Sequence, residues 1–170
     1  MALKDEMTRV LLQGEARAKY DKMEGSNFLL PWLDIVEIVE AEKISDTLSK
    51  ATFRFPGINI QDRCLQPEFL NPMGTLHAGA TTAFFECATT WALYPIAKPG
   101  FWKSLGICRT INFTFMRPAM PGEILLMECE TVHVGKRIAM LRAVMKREKD
   151  GAALVTCEHN KYNVDADMKL

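Results

Sequence analysis

Two hydrophobic periods alternate along this chain, and each change of period marks an element. Leu3, Met7, Val10 and Leu11 recur at helical spacing and the pattern stops at Gly25, which predicts an amphipathic helix laid on the rest of the molecule. Acids and bases alternate on it, so it reads as a packing or dimer-supporting helix rather than a membrane anchor. Residues 33–40 (LDIVEIVE) and 50–55 (KATFRF) are short and rich in β-branched and aromatic side chains, as strands are, with a reversal over 41–49. After Phe55, Pro56, Pro67 and Pro72 with Gly57 and Gly74 interrupt any regular period, which predicts a long loop of the kind usually functional or disordered.

From His77 to Ala97 the chain (HAGATTAFFECATTWALYPIA) is apolar on nearly every side, predicting a buried helix limited by Pro95 and Pro99. Beyond Gly100 the period becomes two. In GICRTINFTFM, alternation puts Ile107, Ile111, Phe113 and Phe115 on one face and Cys108, Thr110, Asn112 and Thr114 on the other. ILLMECETVHV, IAMLRAVMKRE and AALVTCEHNKYNV follow, separated by Gly135-Lys136 and by the hairpin signal Asp150-Gly151. These elements make an α+β domain in which a curved antiparallel β-sheet wraps a long central helix, the hotdog arrangement. No repeat or linker divides it, so residues 29–170 are expected to form one domain and residues 1–28 an N-terminal helical extension.

Composition changes this picture little. With 48% hydrophobic and 25% charged residues in 170, the chain suits one ordinary globular domain with a sizeable core. Twenty-one basic residues balance twenty-one acidic ones, so no overall field would gather nucleic acid, and no nucleic-acid partner is expected. No apolar run reaches the roughly 18 residues of a membrane span, and Asp5 and Glu6 speak against a presequence. A cytoplasmic protein is expected, with mitochondrial or peroxisomal placement left open. The five cysteines are odd in number and lack a Cys-x-x-Cys pair, and the three histidines lie far apart, so neither a disulfide framework nor a metal site is expected.

The chemistry gathers at the entry to the helix. Asn71-Pro-Met-Gly74-Thr-Leu-His77-Ala78-Gly79, followed by Glu86 and then by TINFTFMRPAMPGE, resembles the hotdog-fold acyl-CoA thioesterases of the phenylacetate-pathway type. Their motif looks like Asn-x-x-Gly-x-x-His-Gly-Gly, with an acid nine positions beyond the histidine and an Arg-Pro or Ser-Pro turn after the next strand. The resemblance spans residues 33–164.

It implies hydrolysis of an acyl-CoA to a carboxylic acid and coenzyme A, with no cofactor beyond the coenzyme A of the substrate. The backbone N–H of Ala78, next to Gly79 at the helix N-terminus, would receive the negative charge that forms on the carbonyl oxygen. His77 would fix that junction and hydrogen-bond near the carbonyl, Gly74 would contribute to substrate binding, and Asn71 would position thioester or water, or else serve only as a turn residue before Pro72. Glu86 would be the general base for water or a nucleophile forming an anhydride, unless it is a carboxylate with a structural partner. Cys108 falls where several relatives carry a serine or threonine, and Thr110, on the same face by alternation, could substitute for it. Phe84, Phe85 and Trp91 would wall the acyl tunnel or simply pack the core. Leu65, Phe69 and Leu70 of the long loop would lie over the tunnel, and Arg117 with Lys136 and Arg137 would meet the coenzyme A phosphates.

This sequence departs from the pattern at Ala78, where glycine is usual, at Glu86, where aspartate is commoner, and at Cys108. Nine helical residues from His77 to Glu86 amount to two and a half turns, placing the two on opposite faces and about 13 Å apart. One subunit could not apply both to one substrate, so a dimer is expected, with two-fold-related helices bringing Ala78 and His77 of one chain to Glu86 of the other, and a dimer of dimers beyond it. Two other readings stay open: a hydratase or dehydratase of acyl thioesters on the same fold, and an acyl-CoA-binding protein without turnover. A serine hydrolase is not expected, since no Gly-x-Ser-x-Gly occurs.

Overall fold

In the computed structural model, which describes residues 1–22, 28–56 and 69–165, six strands form one antiparallel sheet. The strands are β1 (Glu37–Lys43), β2 (Ser49–Pro56), β3 (Ile107–Phe115), β4 (Ile124–Val134), β5 (Ile138–Arg147) and β6 (Ala153–Tyr162). Their spatial order is β1-β2-β4-β5-β6-β3, so β3 closes one edge and, among the described residues, pairs only with β6. Helices α1 (Leu3–Met7), α2 (Glu15–Asp21) and α3 (Leu30–Leu33) precede the sheet, and α4 (Ala78–Trp91) lies against its concave side.

Alternation decides which face meets α4. Leu125, Met127 and Cys129 of β4, Leu141, Ala143 and Met145 of β5, and Val155, Cys157 and His159 of β6 are all buried, at every second position. Phe85 is fully buried and sets its ring edge against Phe113 at 5.6 Å. Phe84 stacks on Trp32 at 5.0 Å, and Trp91 stacks on Trp32 at 5.5 Å, so α3 supplies the plate between two rings of α4. The expected curved sheet around a long helix is thus the observed fold.

Several boundaries differ from the sequence reading. The N-terminal segment is not one helix: a π-helical turn over Thr8–Leu12 follows α1, and the chain restarts at Gly14, the N-cap of α2. A Cβ on Gly14 would sit 2.5 Å from the Val10 carbonyl oxygen, so close backbone approach demands glycine there. The expected stop at Gly25 lies outside the described residues, as does most of the long loop, Leu65 included. Helix α3 was not anticipated; Pro31 in its first turn begins it, and β1 starts only at Glu37. Helix α4 ends at Trp91 rather than Ala97, and Tyr94–Ile96 form a separate 3₁₀ turn.

The largest difference is in β3. Cys108 pairs with Lys161 and Thr110 with Asn160, so Arg109 is the extra residue of a β-bulge. Residues opposite each other on paired strands share a face. Cys108, although exposed, therefore shares the face of Lys161, while Thr110 lies on the other face, where it accepts a hydrogen bond from Asn160 Nδ2 at 3.1 Å. The expectation that Thr110 could substitute for Cys108 is thereby corrected, and Ile107, paired with Tyr162, moves to the outer face.

The entry to β3 rests on Gly106, which has φ +64° and whose added Cβ would meet the Tyr162 carbonyl oxygen at 2.5 Å and the Trp102 ring at 2.6 Å. Gly106→Ala is expected to lower stability by about 1–3 kcal/mol, read as a lower midpoint in urea unfolding.

Candidate active site

The loop before α4 is shaped by Asn71. Its Oδ1 accepts from the N–H groups of Met73 (2.9 Å) and Thr75 (3.2 Å), and its Nδ2 donates to Thr75 Oγ1 at 2.7 Å. Both ends of the amide thus hold the turn, in which Gly74 adopts φ +74° and donates to the Asn71 carbonyl. The N–H of His77 donates to the Phe69 carbonyl at 2.8 Å and that of Leu76 to the Ala119 carbonyl at 3.2 Å, which ties the start of α4 to two other segments.

His77 is the N-cap of α4, with extended backbone, and its Nδ1 accepts the Gly79 N–H at 2.9 Å. In the neutral ring the proton is then on Nε2, which leaves a donor pointing away from the cap. The Ala78 N–H finds no acceptor among the described residues. Beside it is a cavity of ≈ 310 Å³ whose lining includes Asn71, Ala78, Thr81, Phe115, Met116 and Arg117. An unpaired amide at a helix N-terminus is a ready site for negative charge. The Arg117 guanidinium donates to the Ala153 carbonyl at 2.9 Å and remains exposed.

Glu86 belongs to a second cluster. Helix α4 is not covered on every side as its composition suggested: Gly79 is exposed, and Thr82, Ala83, Glu86 and Thr90 are half-buried along one stripe. Glu86 is thus partly open, with its side chain 44% accessible. Behind it Lys161 of β6 is buried; its Nζ lies 4.0 Å from Glu86 Oε1 and donates to Thr90 Oγ1 at 2.8 Å. Thr90 Oγ1 in turn donates to the Glu86 carbonyl at 2.6 Å. Cys87 Sγ is 3.8 Å from Glu86 Oε2, and burial, then Glu86, push the Cys87 thiol up to about 12, which keeps it a thiol at neutral pH.

The structure therefore divides the expected site residues. Asn71, Ala78 and Arg117 share one cavity, with Gly74, His77 and Gly79 building its helix entry. Glu86 and Cys108 flank Lys161 at the other end, some 12 Å along α4. Phe85 sits in the core and Thr110 on the outer face. Phe69 is buried with its ring 5.2 Å from Phe84. Lys161, Thr90 and His159 were missed, although the alternation of β6 signals two of them: His159 and Lys161 occupy the same phase as buried Val155 and Cys157.

His159 is fully buried and its Nδ1 lies 2.7 Å from Thr89 Oγ1, whose own proton goes to the Phe85 carbonyl at 2.6 Å. Burial, then the charge of Lys161, lower its pKa from 6.5 to about 4. The unfolded chain therefore binds this proton more tightly. Its contribution is complete above pH 6.5 and is lost as pH falls toward 4, amounting to roughly 3 kcal/mol. Urea unfolding between those limits should show that decline, and His159→Gln should flatten it.

No helix among the described residues is long and apolar enough to cross a membrane. Comparison with known proteins gives a consistent result. The family described as the thioesterase superfamily matches residues 73–154. Acyl-coenzyme A thioesterase 13 of Homo sapiens is 25% identical over 130 residues, which is 75% of this chain and 90% of that protein. The crystal structure of zebra fish thioesterase superfamily member 2 superposes with a TM-score of 0.69 at 19% identity, covering 95% of this chain and 99% of the other. The Escherichia coli PaaI protein of the phenylacetic acid degradation operon superposes with a TM-score of 0.63 at 14% identity, covering 95% and 96%.

Proposed function

We propose that this chain, whose residues 73–154 match the thioesterase superfamily, hydrolyses an acyl-CoA thioester at a site shared between two copies. The acyl carbonyl enters the cavity at the start of α4, where the Ala78 N–H receives the charge developing on oxygen. Water attacks the carbonyl carbon as the Glu86 carboxylate of the second copy takes its proton. The tetrahedral intermediate collapses, the C–S bond breaks, and the proton leaves with the coenzyme A thiolate, giving a carboxylic acid and free coenzyme A. His77 holds the geometry through its bond to Gly79, and Arg117 at the rim supplies a cation for a phosphate.

The observation that carries this reading is the Ala78 N–H, without an acceptor among the described residues, at a residue that lines a cavity, with a half-exposed carboxylate on the same helix but too distant to share one carbonyl. Assembly is supported by two surfaces. Edge strand β3 leaves Ile107 54% and Phe115 50% exposed, and the stripe of α4 carrying Glu86 is built of small side chains that admit a second helix closely. Incubation with short, long and aromatic acyl-CoAs, following free thiol, tests the activity. Thiol release names the acyl preference; tight binding without release would leave an acyl-CoA-binding protein, and addition of water across a double bond a hydratase.

A further inference from the structure

We propose that Lys161 is a positioning residue for Glu86: its buried ammonium, anchored by Thr90, holds the carboxylate in place. The inference rests on the thioesterase reading above.

A lysine at 1% exposure is unusual, because an ammonium loses its hydration on burial and needs compensation. Among the described residues Lys161 finds one strong hydrogen bond, to Thr90 Oγ1 at 2.8 Å, and one counter-charge, Glu86 Oε1 at 4.0 Å. That spacing is within reach of charge but beyond a hydrogen bond. Lys161 therefore leaves the lone pairs of Oε1 available to water, while Oε2 lies 3.8 Å from the Cys87 thiol and the cation fixes the side chain from behind. Thr90 couples the two physically, since its hydroxyl accepts from Lys161 and donates to the Glu86 carbonyl at 2.6 Å. A purely structural element would be cheaper as an apolar side chain; replacing buried ion pairs by well-packed hydrophobes is often neutral or stabilising.

Lys161 is a group of this cluster that loses its charge at alkaline pH, and replacing it distinguishes it from the neighbouring Cys108 thiol. Facing it are Glu86 and Cys87 from α4, Cys108 from β3 and His159 from its own strand, with Ala139 opposite it on β5; Tyr20 of α2 lies close enough to sense Glu86 and Cys87. Burial lowers the Lys161 ammonium from its ordinary range, whereas burial raises Tyr20 and carries Cys87 up to about 12. The active, protonated amine is present below its own pKa and lost as pH rises through it. Activity should accordingly fall on the alkaline side at a pH below that of an ordinary lysine.

The test compares pH profiles of kcat, corrected for spontaneous thioester hydrolysis, for the wild type, Lys161→Met, Thr90→Val and Glu86→Gln. Lys161→Met should lower kcat roughly 10²-fold at unchanged KM, abolish the alkaline limb and leave Tm equal or higher. Thr90→Val, which removes the anchor, should move that limb to lower pH. Lys161→Met added to Glu86→Gln should cost nothing more. Retained kcat with an intact alkaline limb in Lys161→Met overturns the inference; if that variant does not fold, an unmoved limb in Thr90→Val does so instead. Thiol release that needs Glu86 but not Lys161 defeats this inference alone, whereas no thiol release by the wild type removes the thioesterase reading and this one with it.

Discussion

Glu86→Gln is expected to lower kcat for acyl-CoA hydrolysis by roughly 10²–10⁴-fold, the range of a positioned general base. The amide has the shape of the acid and lacks its basicity. KM should change little, because glutamine keeps the shape of glutamate and the substrate contacts proposed for Ala78 and Arg117 are untouched. The exchange should lower Tm, because it removes the counter-charge 4.0 Å from buried Lys161, while the fold persists: the Glu86 side chain is 44% accessible, and the Thr89 and Thr90 hydroxyls meet its backbone carbonyl rather than the carboxylate. Steady-state kinetics beside a thermal melt would separate these effects. A variant that keeps its kcat would remove Glu86 from the chemistry and leave its carboxylate as the partner of Lys161 alone.

The second prediction concerns the shared site. Ala78→Pro deletes the one N–H assigned to the oxyanion, at the first helical position where proline is tolerated and after a residue already extended, with ψ 136° at His77. Loss of such a donor should cost roughly 10²–10³-fold in kcat. Neither this variant nor Glu86→Gln should turn over well by itself. Mixed and allowed to exchange subunits, they should recover about a quarter of wild-type activity, because half the random dimers are mixed and each mixed dimer holds one intact site. Recovery would require Ala78 and Glu86 to come from different copies. If the mixture stays as inactive as its parts while subunit exchange is verified, each copy carries its own complete site and the shared arrangement is wrong.

Much of this protein was legible before folding was considered. The switch from helical to alternating period after Gly100, the Asp150-Gly151 turn and the motif from Asn71 to Gly79 are local signals, and they led to the hotdog arrangement and to the cavity end of the site. Asn71 is instructive, since both of its readings had been weighed. It lines the cavity, yet every group of its amide holds the turn. The aromatic residues of α4 resolve similarly: Phe84 and Phe85 have no exposed surface, and they pack rather than line the cavity at the helix entry.

The remainder depended on contacts distant in sequence. Alternation alone assigns Cys108 and Thr110 to one face, and only pairing with β6 shows that Arg109 interrupts the ladder and turns them apart. The helical run of α4 looked apolar all round because small side chains and threonines resemble core residues in composition. Only the curved sheet decides which stripe it covers and which, with Glu86, it leaves open.

Lys161 marks the same boundary between local and long-range information. The sequence by itself determined the six strands and the central helix, their order, the helix entry at His77 and an acid nine residues beyond it, because helix and strand periods are set by neighbours along the chain. The tertiary structure alone decided that a lysine 75 residues after Glu86 is buried 4.0 Å behind it, since strand register and the packing of α4 on β6 place charges that no local pattern relates.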